Sequence, residues 1–142
     1  MADSGYSGTP LAKKLGIKAG FQMYGYQLPE AYFNWFETLP DDLHLIDQEA
    51  LTDIEADSLD WAHLFFKERQ SFEEIFAVVK TKIKKNGSIW ISWPKKAAKV
   101  KTDVDQFVVR TVGLGIGLVD VKVASVSDVW SGMKFMYRIK DR

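Results

Sequence analysis

Apolar positions in this 142-residue chain fall into short runs that switch repeatedly between helical and extended spacing. Leu11, Ala12 and Leu15 share one face while Lys13 and Lys14 turn outward. Thr9-Pro10 supplies a cap and a first-turn proline, and Gly16 is a natural stop, so a helix of about two turns is predicted. Residues 21–26 read as a strand. Pro29 then opens a second helix with Ala31, Tyr32, Phe33, Trp35 and Phe36 on an aromatic face, ended by Leu39-Pro40-Asp41-Asp42. Residues 43–46 form a second strand, 48–58 a loop with at most one helical turn, and 59–66 a dense apolar third strand.

Ser71-Phe72-Glu73-Glu74 has the spacing of a capping box, and the helix it opens carries Phe72, Ile75, Phe76, Val79 and Ile83 at helical intervals. Asn86-Gly87 signals a turn. Residues 88–93 follow as a strand apolar on both faces, the habit of a central parallel strand, and Pro94 ends its pairing. Thr102 caps a further helix with Phe107, Val108, Thr111 and Val112 inward, ended by Gly113, Gly115 and Gly117. Residues 119–126 and 133–139 are two last strands around the turn Asp128-Val129-Trp130-Ser131-Gly132.

Strands alternating with helices, then two strands with no helix between them, predict an α/β fold: a single three-layer Rossmann-like domain over residues 9–142. Its sheet is mainly parallel with an antiparallel closing strand pair. Residues 1–8, small and polar, are expected to be a flexible tail.

Composition narrows the class. There are no cysteines, which excludes disulfides, thiolate metal sites and cysteine nucleophiles and points to a cytoplasmic protein. No secretory leader or membrane span is expected. Net charge is zero but sorted: residues 19–66 contain no Lys or Arg, whereas 67–101 hold ten basic residues against Glu68, Glu73 and Glu74. The ordinary reading is two solvated surfaces, and the sharper one an acidic and a basic side.

The candidate chemistry clusters beyond the central strand. Lys95, Lys96 and Lys99 follow its carboxyl end, where open α/β sheets bind ligands. Trp93 ends that strand, Trp130 lies in the closing turn, and Tyr26 ends the first strand. Together they would wall a cleft for a ligand with a flat part and an anionic part, against the ordinary reading of core aromatics and solvated lysines. Trp35, Trp61 and Trp90 read as core. His44 and His63 sit in strands without metal-binding partners, so packing is the simpler account and general-base chemistry the alternative. The three glycines at 113–117 follow a helix, the reverse of a dinucleotide fingerprint.

The order of elements resembles the class I S-adenosylmethionine-dependent methyltransferase fold. "FEEIFAVVKTKIKKNGSIWISWPK" looks like that family's late helix and strand, and "GLVDVKVASVSDVWSGMKFMYRI" like its closing pair. In such enzymes a glycine-rich turn after the first strand lets the backbone approach the cofactor. Here Tyr24-Gly25-Tyr26-Gln27-Leu28-Pro29-Glu30 keeps one glycine, with Tyr24, Tyr26 and Pro29 expected to crowd the cofactor's path. Asp47 matches the acidic residue that holds the cofactor ribose. The blocks "SGYSGTPLAKKLGIKAG", "SWPKKAAKVKTDV" and "GLVDVKVASVSDVWSGMKF" also resemble an uncharacterised bacterial family, a domain of unknown function. That resemblance implies bacterial origin and this fold, and brings no activity.

These features lead to a non-enzymatic methyltransferase-like domain with no cofactor, binding a protein partner or small anionic ligand at Tyr26, Trp93, Lys95, Lys96, Lys99 and Trp130. One alternative is an atypical S-adenosylmethionine-dependent methyltransferase or other transferase. Another is nucleic-acid binding through residues 67–101, which zero net charge disfavours. Homo-oligomerisation is compatible with this reading, and membrane association is not expected.

Overall fold

The computed structural model describes residues 9–46 and 50–142. The tail expected at 1–8, and Asp47, lie outside the described residues. Six strands form one sheet: β1 (Gln22–Tyr26), β2 (His44–Ile46), β3 (Leu59–Phe65), β4 (Ile83–Pro94), β5 (Leu118–Ser125) and β6 (Trp130–Tyr137), in the order β2-β1-β3-β4-β6-β5. β2, β1, β3 and β4 are mutually parallel, and β6 and β5 close the sheet antiparallel. This is the predicted α/β sheet with its closing pair.

Side chains alternate through the two buried faces. Ala62, Leu64, Ile89, Ile91 and Trp93 point to one side, where α2 (Arg69–Lys82) contributes Phe72, Phe76 and Val79 and α3 (Gln106–Gly115) contributes Val109. Trp61, Phe65 and Trp90 point to the other, thinner layer, with Leu15 after α1 (Leu11–Lys14) and Tyr32. A near-continuous apolar strand therefore still has two distinct faces.

Several local expectations give way to tertiary contacts. The aromatic segment after Pro29 forms only a 3-10 turn, Tyr32–Trp35, with Tyr32 buried and Phe33 exposed. Aromatic residues gain little from helix, and the one anchored ring suffices to dock the segment. The capping box does not form: α2 begins at Arg69, whose N–H donates to Asp103 Oδ1 at 2.6 Å, while Ser71 Oγ donates to Glu68 O. Thr102 does not cap α3 either. Its hydroxyl donates to Lys67 O, and Asp105 caps α3 by accepting from Val108 N at 2.9 Å.

Asn86-Gly87 is not a turn. α2 runs straight into β4 at Ile83, and Gly87 lies inside the strand at an irregular register. A Cβ on Gly87 would stand 2.9 Å from Asp60 O, so this glycine marks close backbone approach rather than reversal. Asp60 ties the same end of the sheet together, accepting from Gln22 N and from Lys84 Nζ, both at 2.8 Å. Burial opposes its ionisation, but those hydrogen bonds outweigh burial and hold its pKa below the usual carboxylate range. Trp130 also departs from expectation, since it opens β6 instead of lying in the turn.

Candidate functional site at the carboxyl edge of the sheet

β1 and β3 are neighbours whose chains leave in opposite directions, one toward β2 and the other through α2 toward β4. Such a reversal leaves a crevice beyond the carboxyl ends of the two strands. A cavity of about 570 Å³ lies there. The turn after β1 supplies Tyr26, Gln27, Leu28 and Pro29, and the end of β3 supplies Phe65, Phe66, Lys67 and Glu68. Ser71 of α2 and Trp130 of β6 complete the wall.

The walls are aromatic and the rim charged. Phe65 meets Trp130 edge to face at 5.0 Å between centroids, and Tyr26 packs tilted on Phe66 at 5.3 Å. Lys67 and Glu68 are exposed at the mouth. Gln27 adopts a left-handed backbone, φ 54°, a conformation that costs a non-glycine residue about 1 kcal/mol. The turn is held in part by Leu28, whose side chain folds over Gly25. A Cβ on Gly25 would lie 2.6 Å from Leu28 Cδ1.

Of the residues singled out from sequence, Tyr26 and Trp130 come together around this cavity. Trp93, Lys95, Lys96 and Lys99 do not join them. Trp93 pairs with Ser131 and Trp130 with Pro94, so the two tryptophans are one step out of phase and face opposite sides of the sheet. The single cleft walled by both tryptophans is therefore not formed. Lys95 Nζ donates to Ser125 Oγ at 2.7 Å, while Lys96 and Lys99 lie exposed around the 3-10 turn Lys96–Ala98. Tyr24, expected in the cofactor's path, is instead buried in the α2 side of the core, where burial and then Tyr26 raise its pKa.

Phe65, Phe66 and Gln27 were not among the residues singled out from the sequence, and Lys67 entered only as the start of the basic segment 67–101. The signal available was position, since each lies at or just beyond the end of β1 or β3.

Behind the cavity sits a buried polar triad. His63 Nδ1 lies 2.9 Å from Tyr32 Oη and His63 Nε2 lies 2.8 Å from Ser92 Oγ, with all three side chains inaccessible. Burial pushes the His63 pKa down to about 3 and raises that of Tyr32. The imidazole is thus neutral, and one hydroxyl donates to it while the other accepts. Its ring stacks on Phe65 at 4.3 Å, so the triad braces the cavity wall. It touches no open space, which favours packing over general-base chemistry. Among the described residues no group of three His, Asp or Glu could hold a metal ion, and no helix is long and apolar enough to cross a membrane.

No protein-family model matches the chain, and no curated protein matches its sequence. Solved structures do match. A SAM-dependent methyltransferase from Aquifex aeolicus superposes with TM-score 0.57 at 12% identity, covering 90% of this chain and 88% of that one. An S-adenosylmethionine-dependent methyltransferase from Mesorhizobium loti gives 0.57 at 11%, over 88% and 94%. Magnesium protoporphyrin IX methyltransferase from Synechocystis, with bound SAH, gives 0.53 at 9%, over 86% and 73%. At such identities the likeness is one of fold: the chain has a methyltransferase-like α/β architecture.

Proposed function

We propose that this chain is an atypical S-adenosylmethionine-dependent methyltransferase that takes its methyl donor in the cavity above β1 and β3. The observation that carries this reading is the cavity's position, at the strand reversal of a methyltransferase-like sheet. Tyr26, Phe65 and Trp130 would wall a flat purine, and Lys67 and Glu68 would face the carboxylate and ammonium of an amino acid. When bound, the donor supplies an electrophilic methyl group. The chain's own residues would orient it and keep water away, since methyl transfer asks chiefly for positioning.

A second reading rests on Leu28. Its side chain fills the space over Gly25 where the glycine-rich turn of such enzymes lets the backbone approach the cofactor. That favours a non-enzymatic domain that binds a protein partner or small anionic ligand at the same edge. The absence of cysteine supports a cytoplasmic location for either.

Calorimetry with S-adenosylmethionine and S-adenosylhomocysteine decides between them. Saturable micromolar binding is expected, weakened in Lys67→Ala, an exposed rim position, with an unchanged melting temperature. No heat with either compound would sink the methyltransferase reading and leave the second.

A further inference from the structure

Lys122 of β5 and Lys134 of β6 stand directly opposite each other on antiparallel strands, and Trp90 of β4 stands on the far side of Lys134. Paired positions share a face, so all three project toward α1. There Lys122 Nζ donates to Lys14 O at 3.1 Å. Lys134 Nζ lies at Gly16, 3.6 Å from where a Cβ would be. Like charges directly opposite on a sheet are destabilising, and partial burial adds a desolvation cost. Burial first, then Lys122 and Lys18, lower the Lys134 pKa.

The ion pairs among the described residues join Arg69 to Glu73, Lys84 to Asp60, Arg110 to Asp120 and Arg138 to Asp141, and none includes Lys18, Lys122 or Lys134. Support for the α1 carbonyls accounts for Lys122 but not for Lys134. A cavity of about 420 Å³ opens beside the same turn, lined in part by Lys13, Gly16, Ile17 and Lys18 and closed by Thr38, Leu39 and Pro40.

We propose that Lys18, Lys122 and Lys134, with the cavity beside Gly16, form an anion site for a phosphate-bearing small molecule. Lys122 and Lys134 beside the turn after α1, with Lys18 two residues beyond Gly16, suit a compact multivalent anion, whereas a nucleic-acid backbone would call for a longer basic stripe. The site is separate from the cavity above β1 and β3. Lys134 lies four residues along β6 from Trp130, about 13 Å at strand rise.

The test is thermal unfolding of the full chain in inorganic pyrophosphate against sodium chloride of equal ionic strength, for the natural protein and Lys134→Met. Pyrophosphate should raise the melting temperature of the natural protein beyond the salt control. Lys134→Met, which keeps the apolar stem, should melt higher without anion and lose most of that rise. The proposal fails if the natural protein responds no more than to salt, or if Lys134→Met keeps the full response. It also fails if that variant melts lower without anion, or if duplex DNA stabilises the protein where pyrophosphate does not.

Discussion

His63 Nε2 and Ser92 Oγ lie 2.8 Å apart on neighbouring parallel strands, with neither side chain exposed. A buried histidine held neutral makes stability depend on pH. Its folded pKa, about 3, is below the value near 6.5 expected of the unfolded chain. Its contribution is therefore full above pH ~6.5 and is lost as pH falls toward 3, because only the unfolded state takes the proton in that window. The slope approaches about 1.4 kcal/mol per pH unit. Denaturant midpoints between pH 7 and pH 5 should fall for the natural protein and fall less for His63→Gln. Equal slopes would mean that His63 titrates in the fold.

Gly113 and Gly115 make a matched pair on α3. A Cβ on Gly113 would come 2.2 Å from Phe135 Cε1, while one on Gly115 would meet nothing within 4 Å. Alanine improves helix propensity at either site by up to about 1 kcal/mol. At Gly113, overpacking against a buried ring costs about 1–3 kcal/mol and should win. Gly113→Ala should lower the melting temperature and Gly115→Ala should raise it or leave it unchanged. A gain at Gly113 would mean that Phe135 moves aside at little cost.

For the exposed lysines a smaller effect is expected. Lys96→Ala and Lys99→Ala should stay within about 0.5 kcal/mol of the natural protein. They should also leave S-adenosylmethionine binding unchanged, because neither lines the cavity between β1 and β3. A binding loss in calorimetry with stability preserved would return the site to the lysines beyond Pro94.

The sheet was largely legible because its signals are local. The apolar run at 88–93 marks β4 as an inner strand, Pro94 marks its end, and the two late strands without a helix between them mark the antiparallel closing pair, although none of them gives the strand order. Trp93 and Trp130 show where legibility ended. Their faces depend on the register of β6 against β4, which no local pattern encodes, and shifting Trp130 from turn to strand changes which cavity it joins. The start of α2 illustrates the same limit from another side. Ser71 had the spacing of a cap, but Asp103, 34 residues beyond Arg69, takes the end of the helix. Tyr26 was recovered as a cavity residue because a strand end needs no register to place it.

Trp61 and Trp90 share one acceptor. Their indole N–H groups, on adjacent strands β3 and β4, donate to Leu15 O at 2.9 and 2.8 Å, fastening the chain just after α1 to the thin layer of the core. Leu15 is wholly buried, so its carbonyl has no recourse to water if both donors go. Trp61→Phe or Trp90→Phe alone removes one bond and some packing, yet leaves the carbonyl satisfied by the other indole. The double variant strands a buried acceptor, which costs about 1–3 kcal/mol beyond the packing terms. The two losses should therefore be more than additive, by on the order of 1 kcal/mol, in a double-mutant cycle read by denaturant unfolding. Strict additivity would mean that α1 lifts away or admits water once the first indole is gone. The shared carbonyl would then not be what holds this layer in place.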